Sequence, residues 1–144
     1  MSPHEPERRA ELELLWASVV LVVEGRGDPV HPMVLAVEHE VPVHVLTAWN
    51  PSSTWVDAAR NARADAELVA RLDALGVRRE RCTGSSPDGA WREEGWAIVG
   101  LDRHEVAELG RTFGQDAFYE VTAGEVVVVW CDTGRAVPLD PGAG

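Results

Sequence analysis

Residues Thr47 to Gly76 read TAWNPSSTWVDAARNARADAELVARLDALG, and the remaining chain is arranged around this segment. The preceding run Val43–Trp49 alternates and carries β-branched and aromatic residues, which predicts a strand. Asn50 and Pro51 end that strand, because proline has no N–H to donate and restricts the residue before it. A turn and one long amphipathic helix follow.

The helix has recognisable ends. Thr54 followed by Asp57 fits a capping box, with aspartate in place of the usual glutamate or glutamine. Gly76 stands just past the last apolar residue, where a left-handed backbone is favoured. The sequence therefore predicts a helix from about Trp55 to Leu75.

The inward face of this helix changes character along its length. Leu68, Leu72 and Leu75 form its apolar stripe, and stepping back by three and four residues leads to Asp65 and Asn61. A buried polar group without a partner costs roughly 1–3 kcal/mol, so both side chains require partners. Either Asn61 ties down the turn before the helix and Asp65 pairs with an arginine, or both belong to a functional site.

Composition restricts the classes of function. The chain has 144 residues, a formal net charge of −11 and arginine as its only strongly basic residue. An acidic surface repels phosphate backbones, so we expect no nucleic-acid partner. The charged N-terminus lacks the apolar core of a signal peptide, and no apolar run approaches the roughly 20 residues that cross a bilayer. We expect a cytoplasmic, acidic protein with no membrane partner.

Cofactor and metal motifs are missing from the sequence. The segment 84–89, GSSPDG, has turn chemistry and lacks the lysine of a phosphate loop. His31, His39 and His44 do not have a recognised metal-ligand spacing. Cys82 and Cys131 lie in strand-like runs, where buried free thiols are the usual state in a reducing compartment. We expect neither a cofactor nor a metal.

The order of elements predicts an α+β fold, a mostly antiparallel sheet of five or six strands with two main helices packed on one face. The apolar runs 19–23 and 126–131 are interpreted as central strands, and 77–83 as an edge strand. The second main helix begins at a capping box, in which Asp102 is the N-cap and Glu105 lies three residues later. The segment 33–41 fits either a helix or a strand. We expect one domain over residues 1–131, frayed over 1–10, and a flexible tail over 132–144.

Three segments in order resemble the bacterial domain-of-unknown-function family DUF3293. They are TAWNPSS with Asn61 downstream, then WREEGWAIVGL at 91–101, then FGQDA at 113–117, and the resemblance extends over roughly residues 19–130. It implies no substrate, cofactor or reaction. It implies only a set of pattern residues: Trp49, Asn50, Pro51, Asn61, Glu94, Phe113, Gly114 and Gln115.

This chain departs from the family pattern at one position. The family carries Glu-Ser before the second apolar strand, where this chain has Glu94 and Gly95. If that hydroxyl takes part in chemistry, this member lacks it.

Three functions of different classes remain open. The first is a binding module for a small molecule or peptide, with a pocket of Trp49, Asn50, Asn61, Glu94 and Gln115. The second is an enzyme that uses Glu94, on the strand face of Trp96, as a general acid or base. The third is an acidic protein-interaction or regulatory partner. We rank them in that order, and whether the protein is an enzyme stays open.

Overall fold

The computed structural model describes residues 6–139, which form four helices and seven strands. A single 3₁₀ turn, Pro51–Ser53, lies between β2 and α3. The elements are α1 (Pro6–Ala17), β1 (Val20–Val23), α2 (Met33–His39), β2 (Val43–Thr47), α3 (Ala58–Leu75), β3 (Arg78–Ser85), β4 (Arg92–Val99), α4 (Arg103–Thr112), β5 (Ala117–Val121), β6 (Val126–Trp130) and β7 (Ala136–Pro138).

The strands form one sheet in the order β1-β3-β4-β2-β5-β6-β7, and every neighbouring pair is antiparallel. The expected α+β class with an antiparallel sheet is confirmed. The number of elements differs, because the described residues hold seven strands and four helices where we expected five or six strands and two main helices. The ambiguous segment 33–41 is largely the helix α2.

Helices cover both faces of the sheet: the two main helices share one face, as expected, and two further helices lie on the other. Helices α3 and α4 pack on the face that carries Leu46, Ile98 and Phe118. Helix α2 packs on the other face, over Val45 and Ala97. Helix α1 lies on this second face as well, where the Trp16 ring meets the Trp130 ring at 5.1 Å between centroids. Both faces of the sheet therefore need apolar residues.

Two strands occupy different places from those expected. Strand β1 is at the edge of the sheet, and β3 lies inside it between β1 and β4. The run 19–23 is apolar on both faces, but only one face is covered. Leu21 and Val23 pack under α2, whereas Val20 is 44% exposed. Strand β6 is next to last, since β7 pairs with it in the stretch interpreted as a tail. Residues 1–5 and 140–144, part of the expected frayed end and tail, lie outside the described residues.

Helix α3 begins three residues later than predicted. Thr54 is extended, and Asp57 is the N-cap, whose side chain accepts from the Arg60 N–H at 2.8 Å. Gly76 ends the helix with φ +67°, as the sequence predicts. The predicted capping box of Asp102 and Glu105 is present at the start of α4. The late start of α3 leaves residues 50–57 free to build the loop described next.

Candidate ligand-binding pocket

The loop Asn50–Ser53 has an unusual backbone. Asn50, Ser52 and Ser53 have φ values of +48°, +58° and +57°. Left-handed conformations cost non-glycine residues about 1–3 kcal/mol each, somewhat less for asparagine, and they persist only where the surroundings enforce them. Such strain is concentrated at ligand sites and switch regions.

Contacts with residues 114–116, just before β5, hold the Asn50–Ser53 loop in this shape. Three hydrogen bonds make the connection: Ser52 N–H to Gly114 O (2.7 Å), Gln115 Nε2 to Trp49 O (3.0 Å), and Ser53 Oγ to Asp116 Oδ2 (2.6 Å). Gly114 itself has φ +69°, and a Cβ there would come within 3.0 Å of Pro51. The strained loop is thus held by the segment that leads into β5, the strand next to β2 in the sheet.

A pair of asparagines fixes the side chain of Asn50. Asn61 Oδ1 accepts from the Asn50 backbone N–H at 2.9 Å, and Asn61 Nδ2 donates to Asn50 Oδ1 at 3.2 Å. The Val56 N–H also donates to Asn50 Oδ1, at 3.1 Å. Because Oδ1 already accepts two hydrogen bonds, the amide orientation is determined and Nδ2 is directed elsewhere. It donates to Glu93 Oε2 at 2.9 Å.

Glu93 has no cationic partner among residues 6–139. Its hydrogen-bond partner there is the uncharged amide of Asn50. Burial raises the pKa of Glu93 to about 7, and the hydrogen bond from Asn50 opposes that rise only in part. A carboxyl group that is poised between its two forms at neutral pH is uncommon outside sites. Glu93 also lies in the wall of a cavity.

This cavity, the α1 cavity, has a volume of about 210 Å³ and lies between α1 and the sheet. Trp16, Trp55, Trp91 and Tyr119 supply aromatic walls, with aliphatic side chains between them. The polar lining residues are Arg8, Thr47, Asn50, Ser53, Glu93, Gln115 and Asp116. An apolar cavity with a few convergent polar groups is the usual form of a small-molecule site.

Two other titratable groups of the α1 cavity are held neutral. Burial raises the pKa of the Cys82 thiol to about 12, so it carries no charge at neutral pH. Burial, followed by the charge of Glu93, raises the pKa of Tyr119, whose hydroxyl donates to Trp16 O at 3.3 Å. Cys82 and Cys131 are both buried free thiols, as expected.

The structure separates the sequence-predicted site residues into two groups. Asn50 and Gln115 line the α1 cavity. Asn61 does not line it but holds Asn50, and Trp49 offers its carbonyl to Gln115. These four are therefore joined by hydrogen bonds around one loop.

Glu94 lies apart from that group. It is on the opposite face of β4, with Oε2 at 3.4 Å from Arg92 Nη1 and Oε1 at 3.9 Å from Arg81 Nε. Its neighbour Glu93 is the carboxylate that the cavity contains. Strand alternation places Trp91, Glu93 and Gly95 on one face, and all three line the α1 cavity. That alternation was the available signal for Glu93.

Gly95 shows why the sequence did not reveal that the Glu93 face of β4 is also covered. It pairs with Thr47, and a Cβ on Gly95 would lie 2.5 Å from the Leu46 carbonyl oxygen. The strands here leave no room for the serine that the resemblance leads one to expect. Glycine also removes the apolar side chain that would have marked this face as a core face.

On the other face, carboxylates have cationic partners. Arg81 donates to both oxygens of Asp65 at 3.0 Å, and Trp96 Nε1 donates to Asp65 Oδ1 at 3.1 Å. The Arg81 guanidinium also lies 3.8 Å from the centroid of the Trp96 ring. This pairing of Asp65 with an arginine is one of the two alternatives that the sequence left open, in a bidentate and stacked form.

A second carboxylate on this face, Glu120, likewise has a cationic partner. Arg103 donates to both oxygens of Glu120, at 3.0 and 2.6 Å, and lowers the pKa of Glu120. His44 lies 2.9 Å from Glu120 Oε2, and burial lowers the pKa of His44 despite that neighbour. A neutral His44 donates from Nε2, because the carboxylate only accepts. None of these three side chains lines the α1 cavity.

Within residues 6–139, no group of three or more His, Cys, Asp or Glu side chains is placed to hold a metal ion. None of the four helices there is long and apolar enough to cross a membrane.

Comparison with known proteins gives one match. A family model described as "Protein of unknown function (DUF3293)" matches residues 46–118, just over half of the chain. The matched residues include the Asn50–Ser53 loop, Asn61, Glu93 and Gln115, whereas α1 lies before them. Neither the curated proteins nor the solved structures gave a match. The chain belongs to the DUF3293 family.

Proposed function

We propose that this protein is a binding module for a small molecule and that the α1 cavity is its site. The observation that carries the proposal is a hydrogen bond that joins a strained loop to a carboxyl group without a cationic partner among residues 6–139. The Asn50–Ser53 loop keeps three left-handed residues, and Asn50 at its start donates to Glu93 inside the cavity. Both features cost free energy in the unliganded protein, and a bound ligand would offset that cost.

The contrast with purely structural groups supports this proposal. Asp65 accepts three hydrogen bonds from Arg81 and Trp96, so its charge already has a cationic partner within the protein. Glu93 has one amide partner and faces an open cavity. Sites commonly trade stability for function, and Glu93 fits that description whereas Asp65 does not.

The direct test is a ligand screen read by NMR on the indole N–H signals of Trp16, Trp55 and Trp91. A set of small amines, carboxylic acids and neutral aromatic compounds should contain members that shift these signals at millimolar concentration. Ala117→Phe places a ring in the cavity and should abolish those shifts, whereas Ala59→Phe, on the exposed side of α3, should not. Shifts that survive Ala117→Phe, or a set without any binder, would contradict the proposal.

A second candidate is an enzyme that uses Glu93, in place of Glu94, as its general acid or base. The supporting observation is the pKa of Glu93, about 7, which suits proton transfer at neutral pH. Compounds found to bind should then be converted over hours, and Glu93→Gln should stop conversion without unfolding the protein. If the bound compounds stay unchanged, the enzyme is ruled out and the binding module remains as the proposed function.

A further inference from the structure

We propose that the α1 cavity recognises an organic cation, a protonated amine or amidine on a small aromatic or branched apolar body, with Glu93 as its counter-ion. This inference rests on the proposed function and names its ligand class.

The first argument is charge. The carboxylates in the cavity wall are Glu93 and Asp116, and the arginine there is Arg8. Arg8 Nη1 lies 3.3 Å from Glu11, and Asp116 accepts from Ser53. Within residues 6–139, therefore, no cation is paired with Glu93. A ligand cation would supply the partner that Arg81 supplies to Asp65 on the other face.

The second argument is the aromatic lining. Trp16, Trp55, Trp91 and Tyr119 share the cavity with Glu93. Aromatic faces attract cations, and tryptophan does so most strongly. Trp55 lines the cavity and is 66% exposed, so much of its ring surface is accessible to a ligand. A carboxylate surrounded by such rings is the arrangement that selects a cation over an anion or an uncharged isostere.

The third argument is size. The cavity has a volume of about 210 Å³. A dry cavity of about 150 Å³ accepts benzene, so the α1 cavity accommodates one ring with a short substituent. A peptide or nucleotide would not fit within it. The ligand class is therefore a compound of about ten non-hydrogen atoms that carries one positive charge.

The geometry gives a pH dependence with a definite sign. The titratable and charged groups that face Glu93 are Arg8 from α1, Cys82 from β3, Tyr119 from β5, and Asp116 before β5. Cys82 and Tyr119 stay neutral, so Glu93, with a pKa of about 7, dominates the change near neutral pH. A cation needs ionised Glu93, so its binding should tighten from pH 5.5 to pH 8. A carboxylate ligand would show the reverse.

The test uses three probes of similar shape: phenethylamine, phenethyl alcohol and 3-phenylpropionate. Binding to the full chain is measured at pH 8 by titration of the indole N–H signals. We expect phenethylamine to bind at least about tenfold tighter than the alcohol, the ratio typical of one charge-assisted hydrogen bond. Glu93→Gln should remove that preference. Glu94→Gln makes the same chemical change on the other face of β4 and should keep it.

The outcomes separate this inference from the proposed function. Equal binding of amine and alcohol, a preference for the acid, or an amine preference that survives Glu93→Gln would overturn the cation and leave the cavity as a binding site. If Glu94→Gln weakened the amine as much as Glu93→Gln, general attraction to an acidic protein would be the cause and the inference would fall. If neither these probes nor the screening set bound in the cavity, both proposals would fall.

Discussion

Asp65 and Glu93 are carboxylates at opposite faces of one sheet, and their surroundings differ. Asp65 receives two hydrogen bonds from Arg81 and one from Trp96. Glu93 receives one from Asn50 and faces a cavity. The first arrangement leaves nothing for a ligand to complete, and the second leaves one charge uncompensated. The comparison suggests a general way to tell a structural carboxylate from a site carboxylate, namely whether the protein itself supplies the counter-ion.

The largest effect is expected at Asp65. Asp65→Asn removes the charge while it keeps the shape, and it leaves the half-buried Arg81 guanidinium with only the more distant carboxylate of Glu94, at 3.9 Å. We expect a loss of about 3 kcal/mol in the free energy of unfolding, measured in urea. The control is Asp73→Asn on the same helix. Asp73 meets Arg79 at 2.6 Å but is 60% exposed, so its loss should be about 0.5 kcal/mol or less. Equal losses would remove the contrast.

Glu93 should respond in the opposite direction. Its folded-state pKa of about 7 lies above the ordinary 4.5, so the unfolded chain ionises first as pH rises. Glu93 therefore destabilises the fold between about pH 4.5 and 7, and the cost is complete above pH 7. We expect Glu93→Gln to be roughly 2 kcal/mol more stable than wild type at pH 8, with the difference vanishing near pH 4.5.

Urea unfolding at several pH values checks this expectation. Glu94→Gln serves as the matched change, because Glu94 pairs with Arg92 and Arg81 and its loss should not stabilise the fold. A Glu93→Gln protein less stable than wild type at pH 8 would place Glu93 in the same class as Asp65.

Asn61 tests whether the amide pair serves the fold, the site or both. Asn61→Ala leaves the buried N–H of Asn50 without an acceptor, which should cost about 1–2 kcal/mol. Asn50 would also lose the contact that orients its amide toward Glu93, so the pKa of Glu93 should rise above 7 in an NMR titration. Asn61→Asp keeps the acceptor and should recover part of the stability. An unchanged pKa of Glu93 would make Asn61 purely structural.

Gln115 should have the smallest effect. Gln115→Ala removes one hydrogen bond to the Trp49 carbonyl, worth about 1 kcal/mol, or roughly 3 °C in a thermal melt. Gln115→Met, which fills similar space, should behave like alanine if the hydrogen bond is the cause. Recovery of the wild-type melting temperature by methionine would attribute the effect to packing.

The sequence predicted what depends on local patterns. The strand before Asn50, the end of α3 at Gly76 and the capping box of α4 follow from backbone chemistry within a few residues. The amide contact between Asn61 and the turn was one of two open readings, and the structure contains it. The family resemblance also holds, over residues 46–118.

What the sequence missed depends on which surfaces meet. Alternation shows that Glu93 and Glu94 point to opposite faces, but it does not show that both faces are covered. Glu94 was preferred because it shares a strand face with Trp96, which was taken as the core face, and no helix was expected over the face of Glu93. The unexpected cover of this face also explains the error at β1. Its apolar residues pack under α2, so the run was interpreted as a central strand although it lies at the edge of the sheet.

The Asn50–Ser53 loop also constrains the order of folding. The side chains that pin it lie 63 and 66 residues further along the chain, in Asp116 and Gln115. Contacts so distant in sequence form after local helices and turns, because a long loop must first close. During synthesis Asn61 can hold Asn50 early, but the contacts of Ser52 and Ser53 cannot form until the segment before β5 has emerged from the ribosome. The cavity is therefore assembled late, and ligand binding would report that the sheet has been completed at least as far as β5.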